Sequence, residues 1–505
     1  MKKYIPIVLL LLGHQLCTAQ TRTAELKVDW GANIMTSRST PTLQVVGNPQ
    51  LRRKAFMHDS SFNALRDLKA DYVRYVPWFP YPKLAVAELD APNGQKTSWD
   101  FSLIDPMTVD FFEATRGHSV IMNFSTIPQW MFRTEQRVPY PADPNAVAWG
   151  YGGGTRFRDT TLQELAGYYS RLVSWYSKGG FTDELGNVHT SGYNYPIPYW
   201  EVLNEPDLEH NMSPQLYTRV YDVLVTAIRK VSPNTQFVGL GLANEDNPEW
   251  WEYFLNPANH APGIPLDMIS YHCYAWANPD QKLEDYQYTL FDKADHFVNV
   301  VHYIESIRKR LSPATRTTID ELGTFVNEEM RDQPIPREYW NLSASVYAYF
   351  FIELTKLGID VIGESQLVGF RTQFPDVSMI NPDNSRPNAR FRVLQLIRDN
   401  FQAGDALVST GVEGLRGGDI MAQGFTSGGT GGTGAAGGTE GTKRVLILNK
   451  RNKTIRVKLP AGFKGSVTST VDMSSGDNAP RQATLDSDTI EMSPFAVSVI
   501  TLPVR

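Results

Sequence analysis

Two short stretches of this chain carry carboxylates where chemistry can use them. The first is Tyr199-Trp200-Glu201-Val202-Leu203-Asn204-Glu205-Pro206-Asp207. Its aromatic and β-branched residues predict a strand. Pro206 predicts the end of that strand, because it cannot donate to a sheet ladder and pushes the residue before it toward an extended conformation. Asn204 and Glu205 then stand where the sheet stops. The second stretch is the expected strand 316–321, which ends in Asp320-Glu321 and is followed by Leu322-Gly323. Side chains alternate along a strand, so Thr317, Ile319 and Glu321 are expected on one face and Asp320 on the other, with Gly323 allowing a bend. A carboxylate at a strand end, beside an amide that both donates and accepts, suits general acid/base work. Two carboxylates flanking one bond meet the requirement for glycosidic cleavage.

The neighbouring residues fill in the pattern. Glu201 shares the face of Glu205 one layer deeper, and an interior carboxylate needs an Arg or Lys partner. The strand 268–274 offers Ser270, His272 and Tyr274 on one face, where a tyrosine hydroxyl can orient a carboxylate; a lone histidine of this kind is also commonly a satisfied core residue. Cys273 points the other way, has no base beside it, and reads as a small core residue. Arg74, on a strand at 72–77, is a further candidate, since a cation beside a nucleophilic carboxylate favours its charged form. Trp130 and Trp276 join Asn204, His272, Tyr274 and Arg74 as substrate-binding candidates. No paired His or Cys spacing points to a metal, and no cofactor motif is present: Gly152-Gly153-Gly154 lacks the Lys-Ser/Thr and strand-turn-helix setting of a phosphate loop.

These residues must be positioned by a larger frame. From about 25 to 370, apolar strands alternate with helical stretches, the pattern of a parallel α/β fold. The strands are expected at 25–34, 72–77, 119–124, 199–204, 236–242, 268–274, 316–321 and 360–363. Helices are expected at 60–68, 161–175, 213–231, 296–311, 339–357 and 390–401; Pro214 takes a first helical position. Eight such strands imply a (β/α)8 TIM barrel, whose catalytic face lies at the strand carboxyl ends. The longest excursion, 125–198, carries Trp130, Trp149, Tyr151, Tyr193 and Tyr195, expected to wall a cleft. Beyond 402 the strands 445–448, 454–459, 467–471 and 496–502 predict a C-terminal all-β sandwich, with the Gly/Thr-rich stretch 417–442 as a mobile loop within it. The expected organisation is therefore a signal at 1–20, a barrel domain at 21–402 and a β-sandwich at 403–505.

Composition bounds the rest. The chain has 505 residues, 42% of them hydrophobic and 11% aromatic, enough for an ample core. A net charge of −6 leaves no basic footprint for nucleic acid. Lys2 and Lys3, an apolar run at 5–12 and Cys17-Thr18-Ala19 resemble a secretory signal, too short to span a bilayer. Leu16-Cys17 hints at a lipidation site, but His14, Gln15 and Leu16 are poor residues for one, and cleavage near Ala19 is favoured. A secreted or periplasmic protein is expected, keeping only Cys273 and so forming no internal disulfide.

Trp-Glu-Val-Leu-Asn-Glu-Pro at 200–206, Ser-Tyr-His-Cys-Tyr at 270–274 and Ile-Asp-Glu-Leu-Gly at 319–323 resemble clan A glycoside hydrolases, most closely family 39, the family of β-xylosidases and α-L-iduronidases. The resemblance covers barrel and β-sandwich. It implies a retaining mechanism on plant or algal saccharides, with Glu205 as acid/base, Glu321 as nucleophile, and substrate-binding roles for Asn204, His272 and Tyr274. The chain departs from the family pattern at Leu203, where Asn-Glu-Pro is more usually preceded by Trp, and at Gly363-Glu364-Ser365-Gln366, where many clan members place an aromatic platform. A non-catalytic carbohydrate-binding protein on a decayed barrel is the alternative. An esterase would want a Gly-x-Ser-x-Gly elbow, which is missing. A lyase would announce itself by an unsaturated product.

Overall fold

The structure is a computed structural model, which describes residues 23–134, 137–151, 154–414, 417–427 and 441–503. The signal stretch 1–20, Gly152-Gly153 and residues 428–440 of the Gly/Thr-rich stretch lie outside the described residues.

Eight parallel strands close a barrel in the order Thr40–Gly47, Val73–Pro77, Val120–Met122, Tyr199–Glu201, Gln236–Leu242, Met268–Trp276, Arg316–Phe325 and Val361–Glu364. Between them lie the helices His58–Leu68, Asp105–Ala114, Gln163–Ser177, Pro214–Val231, Pro248–Phe254, Leu283–Leu311 and Arg337–Leu357, and Ala389–Asn400 follows the last strand. The start of Pro214–Val231 follows from its residues: the Ser213 side chain accepts from the Leu216 N–H, and Pro214 fills the first turn, where no donor is needed. Leu283–Leu311 begins well ahead of the expected 296, bringing Lys293 and His296 onto one long helix beside the barrel mouth.

The first barrel strand differs from expectation. Residues 25–34 belong to Thr23–Thr36, which pairs antiparallel with Ala406–Glu413 and parallel with Ile455–Lys458 in the β domain. The barrel instead opens with Thr40–Gly47, between Val361–Glu364 and Val73–Pro77. The physical reason is burial. Thr23–Thr36 alternates between less and more exposed positions along much of its length, with only Ala24 and Leu26 buried, as a sheet with one wet face does, whereas Thr40–Gly47 is buried at seven consecutive positions. Strands covered on both faces belong to parallel barrels.

The β domain is a nine-stranded sheet that curls around its own core of Ala24, Leu26, Val445, Ile447, Ile455, Val457 and Ile500. Its other face joins the barrel core through Phe425, Leu446, Leu448, Val497 and Val499, with the Phe401 and Phe425 rings 4.5 Å apart. The fold is thus an eight-stranded barrel with a C-terminal β-sandwich domain.

Candidate active site

The carboxyl ends of the barrel strands surround a cavity of about 850 Å³, lined by Glu205 and Glu321 together with Asn204, His272, Tyr274 and Trp276. A space of this size suits a ligand of one to a few sugar rings.

The fourth strand ends at Glu201, earlier than the expected 204, and the chain then leaves the pleat. Leu203 and Glu205 both adopt positive φ, 64° and 41°. For residues with a Cβ, and for one that precedes proline, this conformation costs about 1–3 kcal/mol each. It is held by the Glu205 N–H donating to the Gly241 carbonyl at 2.8 Å. The Tyr217 hydroxyl adds a bridge, donating to the Val202 carbonyl at 2.9 Å and accepting from the Leu240 N–H at 2.6 Å. Strain of this kind concentrates at functional sites, and here it aims Asn204 and Glu205 into the cavity.

The seventh strand also breaks the simple alternation. Its pairing with the sixth slips between Thr318 and Glu321, and its pairing with the eighth slips between Ile319 and Leu322. This bulge changes which residues share a face, while Glu321 still points inward as expected. Thr317 bonds Glu305 on the outer helix Leu283–Leu311 at 2.7 Å, while Asp320 and Glu321 both reach inward. Asp320, expected on the opposite face, lies 3.5 Å from both Arg74 and His272. One extra residue is enough to flip every later side chain. Gly323 stays within the strand and serves a close approach rather than a bend: a Cβ there would lie 2.7 Å from the Tyr274 ring.

Beneath the cavity, Arg74 organises the carboxylates. It is fully buried and donates from Nη1 to Glu321 at 2.6 Å and to Gln44 at 2.8 Å, from Nη2 to Asn204 at 2.6 Å, and from Nε to Glu201. Glu201 therefore has the buried cationic partner expected of it, with Asn123 and Ser270 completing its acceptor sites. Arg74 itself lies below the cavity floor, so it reaches a substrate only through the groups it holds, contrary to the binding role expected for it.

Tyr274 donates to Glu321 at 2.5 Å and shares a 2.6 Å hydrogen bond with Ser365. Glu321 is thus clamped between a guanidinium and a phenol, two of the stronger kinds of hydrogen bond a carboxylate accepts. His272 stands between the two site carboxylates, its Nδ1 at 2.8 Å from Glu205 and 3.7 Å from Glu321. Burial opposes its charged form, but Glu321, Asp320 and Glu205 outweigh burial and raise its pKa well above the ordinary imidazole range. The ring is 1% exposed, and the three surrounding carboxylates favour its charged form. Burial raises the Glu205 carboxyl above its usual range, the Glu321 charge adds to this, and His272 opposes it.

An oxygen of Glu205, a nitrogen of His272 and an oxygen of Glu321 lie within 4.8 Å of one another. Among the described residues only these three make a group able to hold a metal ion. To do so, His272 would have to give up both its proton and its bond to Glu205.

The aromatic candidates divide. Trp276 lines the cavity, 55% exposed, with the Lys293 ammonium 4.9 Å from its ring centroid. Trp130 does not line it: its indole is buried, donates to the Glu88 carbonyl at 2.9 Å, and carries the Arg158 guanidinium on its face. Tyr151, Tyr193 and Tyr195 likewise pack away from the cavity, and among the described residues of that excursion only Trp149 reaches it. A rich aromatic run fills its own interior before it walls a cleft.

Several residues at the site carry no motif of their own. Gln44, Trp78 and Gln366 line the cavity, Gln366 from the end of the eighth strand. Glu209 lines it too, brought beside Glu205 by a single turn in which its N–H donates to the Glu205 carbonyl at 2.7 Å. The four-residue spacing of Glu205 and Glu209 was the available signal. Glu364, by contrast, is turned away and paired with Arg390 at 2.8 Å.

No family model and no curated protein matches the chain. Solved structures do. A GH51 arabinofuranosidase from Xanthomonas axonopodis pv. citri superposes with a TM-score of 0.63 at 13% identity, covering 96% of this chain and 100% of that one. A glucosidase from Croceicoccus marinus gives 0.59 at 15% identity, with 96% and 100% covered. A GH30 endoxylanase from Clostridium papyrosolvens C71 gives 0.55 at 12% identity, with 95% and 100% covered. At these identities the likeness is one of architecture, and what the chain shares with these glycoside hydrolases is their fold.

Proposed function

We propose that this protein is a retaining glycoside hydrolase of clan A, acting on O-glycosidic bonds of plant or algal saccharides outside the cytoplasm. The observation that carries the reading is the pair Glu205 and Glu321, with oxygens within 4.8 Å of each other across one cavity. Retaining enzymes hold their carboxyl groups about 5–5.5 Å apart, whereas inverting enzymes need about 6.5–9.5 Å to admit a water. Motifs at 200–206, 270–274 and 319–323 favour family 39 within the clan, and the fold likeness to families 51 and 30 supports the clan rather than the family.

In this reading Glu321 attacks the anomeric carbon while Glu205 gives its proton to the departing oxygen. Arg74 and Tyr274 aim the nucleophile. Glu205 then takes a proton from water, which opens the glycosyl-enzyme with a second inversion. The raised pKa of Glu205 suits the first step, and loss of the neighbouring charge when Glu321 is esterified suits the second.

A mechanism-based 2-fluoroglycoside is expected to label Glu321, and early product is expected to keep the substrate's anomeric configuration by proton NMR. Glu205→Ala should slow aryl glycosides with poor leaving groups by about 10²–10⁴-fold and spare activated ones. A label on Glu245, or an inverted early product, would overturn the pairing. A wild type that turns over no aryl glycoside would favour a carbohydrate-binding protein instead.

A further inference from the structure

Glu209 is a third carboxyl in the cavity, and the mechanism above leaves it unused. Its Oε1 accepts two hydrogen bonds, from the Asn204 amide at 2.8 Å and from the Trp78 indole at 2.7 Å. Its second oxygen accepts no hydrogen bond among the described residues, and the side chain lines the cavity. The groups around it are the Asn204 amide and Glu205 on its own segment, Trp78 from beyond the second strand, Glu321 from the seventh strand, and the Tyr169 phenol from Gln163–Ser177. No cation forms an ion pair with it among the described residues.

We propose that Glu209 is a substrate-binding residue that works as a neutral acid, its hydroxyl donating a hydrogen bond from the cavity wall to an oxygen of the bound sugar. The geometry assigns the two oxygens different tasks. Oε1 is saturated by N–H donors, which suits a carbonyl-type acceptor, so the proton belongs on Oε2, the oxygen a sugar can touch. An anion at this position would face the Glu321 charge, and that of Glu205 whenever it ionises, in a partly desolvated pocket, and like charge disfavours it. In keeping with this, burial foremost and then Glu205 push the Glu209 carboxyl up to about 8, against the two N–H donors. Glu209 also orients Asn204, whose amide is held by Arg74 at one end and by Glu209 at the other.

The proposal rests on the glycosidase reading for its ligand, and the experiment separates the two. Glu209→Gln preserves the arrangement of a neutral acid: its carbonyl can accept from Asn204 and Trp78, and its NH2 can donate into the cavity. Glu209→Ala removes both functions. With 4-nitrophenyl α-L-arabinofuranoside, β-D-xyloside and β-D-glucoside as probes at pH 7, Glu209→Gln is expected to keep kcat/KM within about threefold, and Glu209→Ala to lose at least about tenfold, the scale of one lost hydrogen bond to substrate. Trp78→Phe removes one of the two donors and provides a milder variant if the alanine variant does not fold; a smaller loss in the same parameter is expected. Equal loss in Glu209→Gln and Glu209→Ala would show that a carboxylate is required and overturn the proposal, as would no loss in either. An infrared pH titration, wild type minus Glu209→Gln, needs no turnover. It should show a protonated-carboxyl band at pH 7 that disappears as pH rises through about 8. Absence of that band overturns the proposal even if the protein hydrolyses none of the three probes, an outcome that counts separately against the glycosidase reading.

Discussion

Two buried Arg–Glu pairs lie on the barrel, built from the same residue types and put to different ends. Arg74–Glu201 sits inside, under the cavity; Arg390–Glu364 sits between the end of the eighth strand and the helix Ala389–Asn400. All four side chains are at most 1% exposed. The inner pair is fully partnered. Arg74 donates to four different side chains, and Glu201 accepts from Arg74, Asn123 and Ser270. The outer pair is not: Arg390 reaches Glu364 and the Ser365 carbonyl, while its Nη1 and the Glu364 Oε2 have no hydrogen-bond partner among the described residues. The comparison teaches that burial of an ion pair does not by itself mark a site. A pair whose own polar groups are all partnered and that ends on groups facing a cavity holds those groups in place, whereas a half-satisfied pair stiffens a strand end.

The sharpest way to break this contrast is Arg74→Met. It strands Glu201, Asp320 and Glu321 without their shared cation, and should cost about 3–5 kcal/mol of stability in chemical denaturation. In the protein that still folds, kcat on an aryl glycoside should fall by a further factor of about 10²–10³, because the nucleophile loses its orientation. Arg390→Met should cost a similar 3–5 kcal/mol, yet leave kcat of the folded fraction within about threefold. If the two variants lose kcat alike, the distinction between the pairs is wrong.

Tyr274→Phe sharpens the inner side of the comparison. It removes one charge-assisted hydrogen bond to Glu321, about 1.5–3 kcal/mol, or roughly tenfold to a hundredfold in kcat/KM, with little change in melting temperature. A loss in melting temperature without a loss in rate would place Tyr274 with the outer pair.

The smallest expected effect is a pH slope. Burial pushes Glu364 up to about 7, with Arg390 opposing, from an ordinary value of 4.5. A carboxyl raised in the folded state binds its proton more tightly there than in the unfolded chain. Its contribution is therefore fully present below pH 4.5 and is lost as pH rises toward 7. Glu364→Gln, which cannot ionise, should flatten that part of the stability profile in urea titrations between the two pH values while leaving the activity profile unchanged. An unchanged stability slope would show that Glu364 is charged throughout, as a fully paired carboxylate.

What the amino-acid sequence determined by itself was the frame and its two key carboxylates. Seven of the eight barrel strands follow from apolar runs bounded by turn residues. Glu205 and Glu321 were expected at strand ends and do line the cavity, one beyond the end of its strand and one within its strand, and Glu201's need for a cation follows from its interior position. These are local properties, readable from a few neighbours. Tertiary structure decided everything that depended on a partner. Whether Thr23–Thr36 joins the barrel depends on which sheet covers it, since alternation reports a half-wet strand and not its neighbours. Asp320 turns inward because of a bulge that pairing alone reveals. Trp130 is core and Trp276 is cavity wall, although nothing in an isolated tryptophan tells the two apart. Glu209 joins the site because a backbone turn folds it back on Glu205, and the rise in its pKa comes from the desolvated, like-charged pocket that only the assembled barrel creates.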